Sequence, residues 1–117
     1  MQIQIQQGRA ESAMSLLGEE FNSPYIPGIR VKLDNGEELT QEEARRFREW
    51  FRAANRNQEN TLFQYNAGML SENPSVVQFV EGVVASSSYT IKTWDAVRDG
   101  FTTEYVELVE SVLVNYR

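Results

Sequence analysis

Residues 29–36 read IRVKLDNG, and the fold class turns on this stretch. Ile29, Val31 and Leu33 alternate with Arg30 and Lys32, the period-two pattern of a strand with one buried face. Asp34-Asn35-Gly36 follows as a turn signal, because Asn and Gly tolerate positive φ. A strand over 29–33 needs a mate. The candidates are Gln2–Gln6, where Ile3 and Ile5 alternate with glutamines, and a short return through Glu37–Leu39. Between the two expected strands, Ala10, Ala13, Met14 and Leu17 mark a brief amphipathic helix closed by Gly18. FNSPYIPG, residues 21–28, reads as a loop punctuated by Pro24, Pro27 and Gly28.

Downstream of residue 36 the pattern is helical. Thr40 and Glu43 have the spacing of a capping box, and Glu42 and Glu43 suit the positive end of a helix. Phe47, Phe51, Ala54, Gln58, Leu62, Tyr65 and Met69 then form one seam in steps of three and four. This predicts one long helix to about Gly68. The weak helix formers of NRNQEN leave a break near Asn57 as the alternative. Asn73-Pro74 marks another start, with Val76, Val77, Val80 and Val84 at helical spacing, although so many valines leave a strand open. Ser86-Ser87-Ser88 ends that segment. Ile91, Trp94 and Val97 indicate a short helix up to Gly100. Tyr105, Leu108, Val109, Val112, Leu113 and Tyr116 trace the apolar face of a final helix, with Glu104, Glu107 and Glu110 opposite. The expected fold is therefore α+β and mainly helical. A small N-terminal β element packs with four or five helices, and the C-terminal helix is central. One domain, 1–117, accommodates the 117 residues.

Composition excludes much chemistry. Cysteine and histidine are both absent, which removes disulfides, thiolate metal sites, the commonest general base and the commonest metal ligand. The serine triplet lacks a histidine base, and Lys92 is a poor substitute. Seven scattered glycines make no phosphate loop. Glu19-Glu20 and Glu37-Glu38 lack the alternating ligands of a calcium loop. No catalytic, cofactor-binding or metal-binding residue is expected, no small-molecule ligand is evident, and the chain is read as non-enzymatic. Lacking a signal peptide or a membrane-length apolar run, it is expected to be soluble and cytoplasmic, with incorporation in a virion as a further context.

Net charge is −6, unevenly spread. Residues 1–44 hold three basic against eight acidic side chains, as do residues 58–117, whereas 45–57 hold five arginines against Glu49 alone. At about 100° per residue, Arg45, Arg48, Arg52 and Arg56 share roughly a quarter of the helix circumference, opposite Phe47, Trp50, Phe51 and Ala54. Three readings stay open. The stripe could be a solvated face, with Glu42–Arg46 and Glu49 reaching Arg45 or Arg52 as local ion pairs. It could be a docking surface for protein carboxylates, which explains why every base is Arg and none Lys. It could contact nucleic acid, but the aromatic rings face away from the arginines and the acidic flanks repel phosphate. The expectation is an interaction protein: a small structural subunit of a larger assembly, forming a homo-oligomer or a hetero-assembly. A binding inhibitor or regulator of a host protein is the alternative. Arg45, Arg48, Arg52 and Arg56 are the candidate partner-binding residues.

Overall fold

The computed structural model describes residues 24–69 and 75–117, and every regular element among them is a helix. In chain order these are α1 (Ile26–Asp34), α2 (Gln41–Asn66), α3 (Val76–Phe79) continuing into a π-helical turn (Val80–Val84), α4 (Ser88–Val97) with a 3₁₀ turn (Arg98–Gly100), and α5 (Thr103–Leu113). The chain divides into two compact units, Met1–Trp50 and Phe51–Arg117, with the boundary inside α2.

The expected α+β class is corrected: the described residues contain no strand, and IRVKL lies inside α1. Two local signals had a second meaning. Pro27, read as a loop residue, occupies the first turn of α1, where its missing N–H costs nothing and its fixed φ suits a helix. Asn35-Gly36, read as a hairpin turn, is the helix C-terminus. Gly36 takes φ +71°, its N–H donates to the Leu33 carbonyl, and the Glu37 N–H donates back to Lys32. That pair of bonds is a Schellman closure, which needs the same positive φ as a hairpin turn. Burial then follows the helical period. Ile26 and Ile29 are buried, while Val31, which a strand would bury beside Ile29 and Leu33, is 56% exposed. The Gln2–Gln6 strand, the Ala10–Leu17 helix and the Asn73-Pro74 start lie outside the described residues.

In the first unit the capping box forms as its spacing predicts. The Thr40 N–H donates to Glu43 Oε1 at 2.9 Å, and the Glu43 N–H donates to Thr40 Oγ1 at 3.1 Å. Lys32 of α1 adds an ion pair of 2.9 Å to the same carboxylate, tying α1 to the start of α2. These bonds hold the Glu43 carboxyl below its ordinary value, the Thr40 backbone N–H contributing most and Lys32 next. Phe47 and Trp50 are buried, with ring centroids 5.7 Å apart.

The helix α2 is continuous for 26 residues, passing through NRNQEN without a break. Asn55 and Gln58 in that run are buried rather than solvated. Gly68, at φ +77°, closes the helix by the same motif as Gly36: Gly68 donates to Tyr65 and Met69 to Gln64.

The second unit packs the valine helix, α4 and α5 with residues 51–66 of α2. Of the four valines grouped by spacing, Val76, Val80 and Val84 are buried whereas Val77 is 44% exposed, and the Ala85 N–H reaching the Val80 carbonyl closes the π turn. Ser87 and Thr90 form a capping box at α4, while Ser86 donates its hydroxyl to the Val83 carbonyl at the end of the preceding helix. Trp94, Phe101 and Tyr105 make a ring cluster with centroids 5.5 to 5.9 Å apart. Tyr105, Val109 and Leu113 are fully buried, which places α5 in the core of this unit. Glu110 departs from the solvent face expected for it. Its carboxylate is half-buried, accepts the Trp94 indole N–H at 2.7 Å, and pairs with Arg98 and Arg117.

Candidate protein-docking surface

The five arginines of α2 are not equivalent. Arg45 pairs with Glu49 at 3.0 Å and Arg46 with Glu42 at 2.9 Å, both one turn apart. Arg46 also lies over the Tyr25 ring, 3.7 Å from its centroid. Hydrogen bonding and charge from Arg46 hold the Glu42 carboxyl below its ordinary value.

Arg56 is committed within the second unit. Its guanidinium pairs with Glu59 at 2.7 Å, donates to the Gly100 carbonyl at 3.0 Å and sits 4.4 Å from the Phe101 ring centroid. Glu59 in turn accepts the backbone N–H of Thr102, the N-cap of α5, at 2.7 Å. The pair therefore fastens α2 to the α4–α5 connection. Its i, i+3 spacing was legible in the sequence; its contacts 44 residues away were not.

Asn55 lies close behind. Tyr105 donates its hydroxyl to Asn55 Oδ1 at 2.7 Å, and Asn55 Nδ2 donates to the Phe51 carbonyl at 2.9 Å. Burial, followed by the nearby Glu59 charge, pushes the Tyr105 hydroxyl well above its usual range. Held above its usual range, the hydroxyl keeps its proton at neutral pH and donates it to Asn55.

Arg48 and Arg52 differ from the other three. Both are exposed, they stand one turn apart, and neither has an ion pair or side-chain hydrogen bond among the described residues. Glu49, which could have reached Arg52, is turned to Arg45. Further along the same helix is Phe63, absent from the sequence-based candidates. At about 100° per residue it falls within roughly 20° of Arg52 and Arg56. It is 63% exposed. An apolar ring on a polar face was visible in the helical projection, but only the burial pattern distinguishes it from a core residue.

The four-arginine stripe thus resolves into two members engaged within the chain, Arg45 and Arg56, and two available guanidinia. Planar, weakly hydrated and five-donor, a guanidinium is suited to forked bonds with a carboxylate. No family model, curated protein or solved structure matches this chain. Among the described residues no helix is long and apolar enough to cross a membrane, and no group of three or more acidic side chains could hold a metal ion.

Proposed function

We propose that this chain is a non-enzymatic interaction protein, a small subunit of a larger assembly, that docks on a carboxylate-bearing protein surface through Arg48 and Arg52. The observation carrying this reading is the division of labour on α2: neighbouring arginines are held by in-chain partners while these two are exposed and have no ion pair among the described residues. Phe63 supplies an apolar anchor further along the same face. Arginine and aromatic side chains are the types enriched where a surface is buried in a contact. Residence inside the cell, in an assembled particle such as a virion, goes with this reading.

The test is a photo-cross-linker at exposed Asn60, beside Phe63, compared in wild type and in the double reversal Arg48→Glu/Arg52→Glu. A discrete protein adduct that the reversal abolishes, with helix content and melting temperature unchanged, is the expected result. An unchanged adduct pattern makes the arginines a solvated face. Capture of RNA or DNA instead, with a steep salt dependence, would replace the protein reading by a nucleic-acid one.

A further inference from the structure

We infer that the surface received by Arg48 and Arg52 is the outer face of α5 in a second copy of this chain, with Glu104 and Glu107 as the carboxylates. This rests on the docking reading of the arginine pair and adds the partner and its site. Of the thirteen carboxylates among the described residues six hold an in-chain cation, Glu81 accepts the Tyr116 hydroxyl, and Asp99 stands alone in the 3₁₀ turn. Glu42, Glu43, Glu49, Glu59, Asp95 and Glu110 each hold an in-chain cation. Glu104 and Glu107 are exposed and have no ion pair or side-chain hydrogen bond among the described residues.

Geometry favours these two over the acidic residues of the α1–α2 connection. Glu104 and Glu107 stand three residues apart on a regular helix, and Arg48 and Arg52 stand four apart on another. The rises are about 4.5 and 6 Å, a difference that flexible guanidinium stems absorb. Laid antiparallel, Arg52 meets Glu104 and Arg48 meets Glu107. Asp34, Glu37 and Glu38 flank the Gly36 turn instead, where no helical repeat spaces them. Ser111 of α5 and its C-cap Val114 continue the same outward face, and Val114 is 73% exposed.

Two surfaces of opposite sign on one molecule make a heterologous contact, which propagates head to tail or closes into a ring. A contact of one helix face on another is small, and its exposed ion pairs are individually weak, so association is expected to be salt-sensitive.

The experiment is sedimentation equilibrium of the full chain, from micromolar to millimolar, at low and at high salt. Wild type should rise above the monomer mass of 13.4 kDa with concentration at low salt and return to it at high salt. Arg48→Glu/Arg52→Glu and Glu104→Arg/Glu107→Arg should each remain monomeric. An equimolar mixture of the two reversals should associate again, since each supplies the complement of the other, and that rescue shows that both are folded. The milder Glu104→Gln/Glu107→Gln should weaken association without reversing the charge.

A wild type that stays monomeric, a glutamate reversal that associates like wild type, or a mixture that fails to associate would overturn the inference. In each of those cases a protein adduct at Asn60 that still depends on Arg48 and Arg52 leaves the docking surface standing with a different partner. If the arginine reversal alters neither adduct nor mass, both readings fall.

Discussion

At the scale of single residues, the Asn55–Tyr105 bond shows how a polar pair can belong to a core. Asn55 is fully buried, yet both ends of its amide are satisfied, one by the Tyr105 hydroxyl and one by the Phe51 carbonyl. A satisfied buried pair contributes modestly to stability, whereas an orphaned member costs its full desolvation. Tyr105→Phe should therefore destabilise the chain by about 1–3 kcal/mol in chemical denaturation. Asn55→Ala should cost a similar amount or more. In a double-mutant cycle the pair should cost less than the sum of the singles, because the second change removes the group orphaned by the first. Strict additivity would mean that the two side chains are not coupled. Arg56 follows the same logic on the surface: its position in the stripe suggested a partner outside, and its contacts lie with Glu59, Gly100 and Phe101.

At the scale of elements, helix ends account for the main correction. Gly36 and Gly68 both stand just past a helix in positive φ, and no neighbouring atom would meet a Cβ added at either position. Alanine there should cost about 1 kcal/mol from backbone strain alone. Gly28 lies inside α1 with no positive φ and equally open space. Gly28→Ala should instead stabilise by roughly 0.5 kcal/mol or more through helix propensity. Thermal melts of Gly36→Ala and Gly28→Ala thus test α1 directly. If Gly28→Ala destabilises as much as Gly36→Ala, the helical assignment of IPGIRVKLD fails.

At the scale of the whole molecule, pH dependence follows from the ionised network. Arg117 pairs with Asp95 at 2.7 Å and with Glu110 at 3.2 Å, a clasp between the C-terminus, α4 and α5. The Asp95 carboxyl is held low, first by its hydrogen bond from Arg117. Burial would raise Glu110, but the Trp94 indole and Arg117 outweigh it and leave the carboxyl lowered. A carboxyl depressed in the folded state contributes stability above its unfolded value and loses it as pH falls through the folded one. Melting temperature should therefore decline below the ordinary carboxylate values of 3.8 and 4.5. Tyr105 works at the other end. Its raised folded value means stability is whole below the ordinary phenol value of 10.0 and is lost above it, where only the unfolded chain ionises. Melting temperature against pH should show a plateau with both limbs. Arg117→Ala should make the acid limb shallower, and Tyr105→Phe should remove part of the alkaline one. An acid limb as steep in Arg117→Ala as in wild type would show that the clasp carries none of it.

Much of this was legible in the order of residues. The α2 cap, the burial of Phe47, Trp50 and Phe51, and the buried face of Tyr105, Val109 and Leu113 on α5 follow from spacing, because a helix converts local sequence into a face by a fixed rotation per residue. Tyr116, grouped with that face, is 45% exposed beyond the helix. The state of IRVKL was not legible. A five-residue alternating run fits one strand face, and the Asn-Gly after it fits a hairpin or a helix terminus equally well. Packing decided between them: Ile26 and Ile29 reach burial together only in a helix, with Lys32 then placed on Glu43. The candidate surface divides in the same way. Arginine type and periodicity placed the stripe on one side of α2. Which guanidinia remain available depends on carbonyls, rings and carboxylates brought from distant positions, as Gly100 and Phe101 are brought to Arg56, and only the tertiary structure sets those distances.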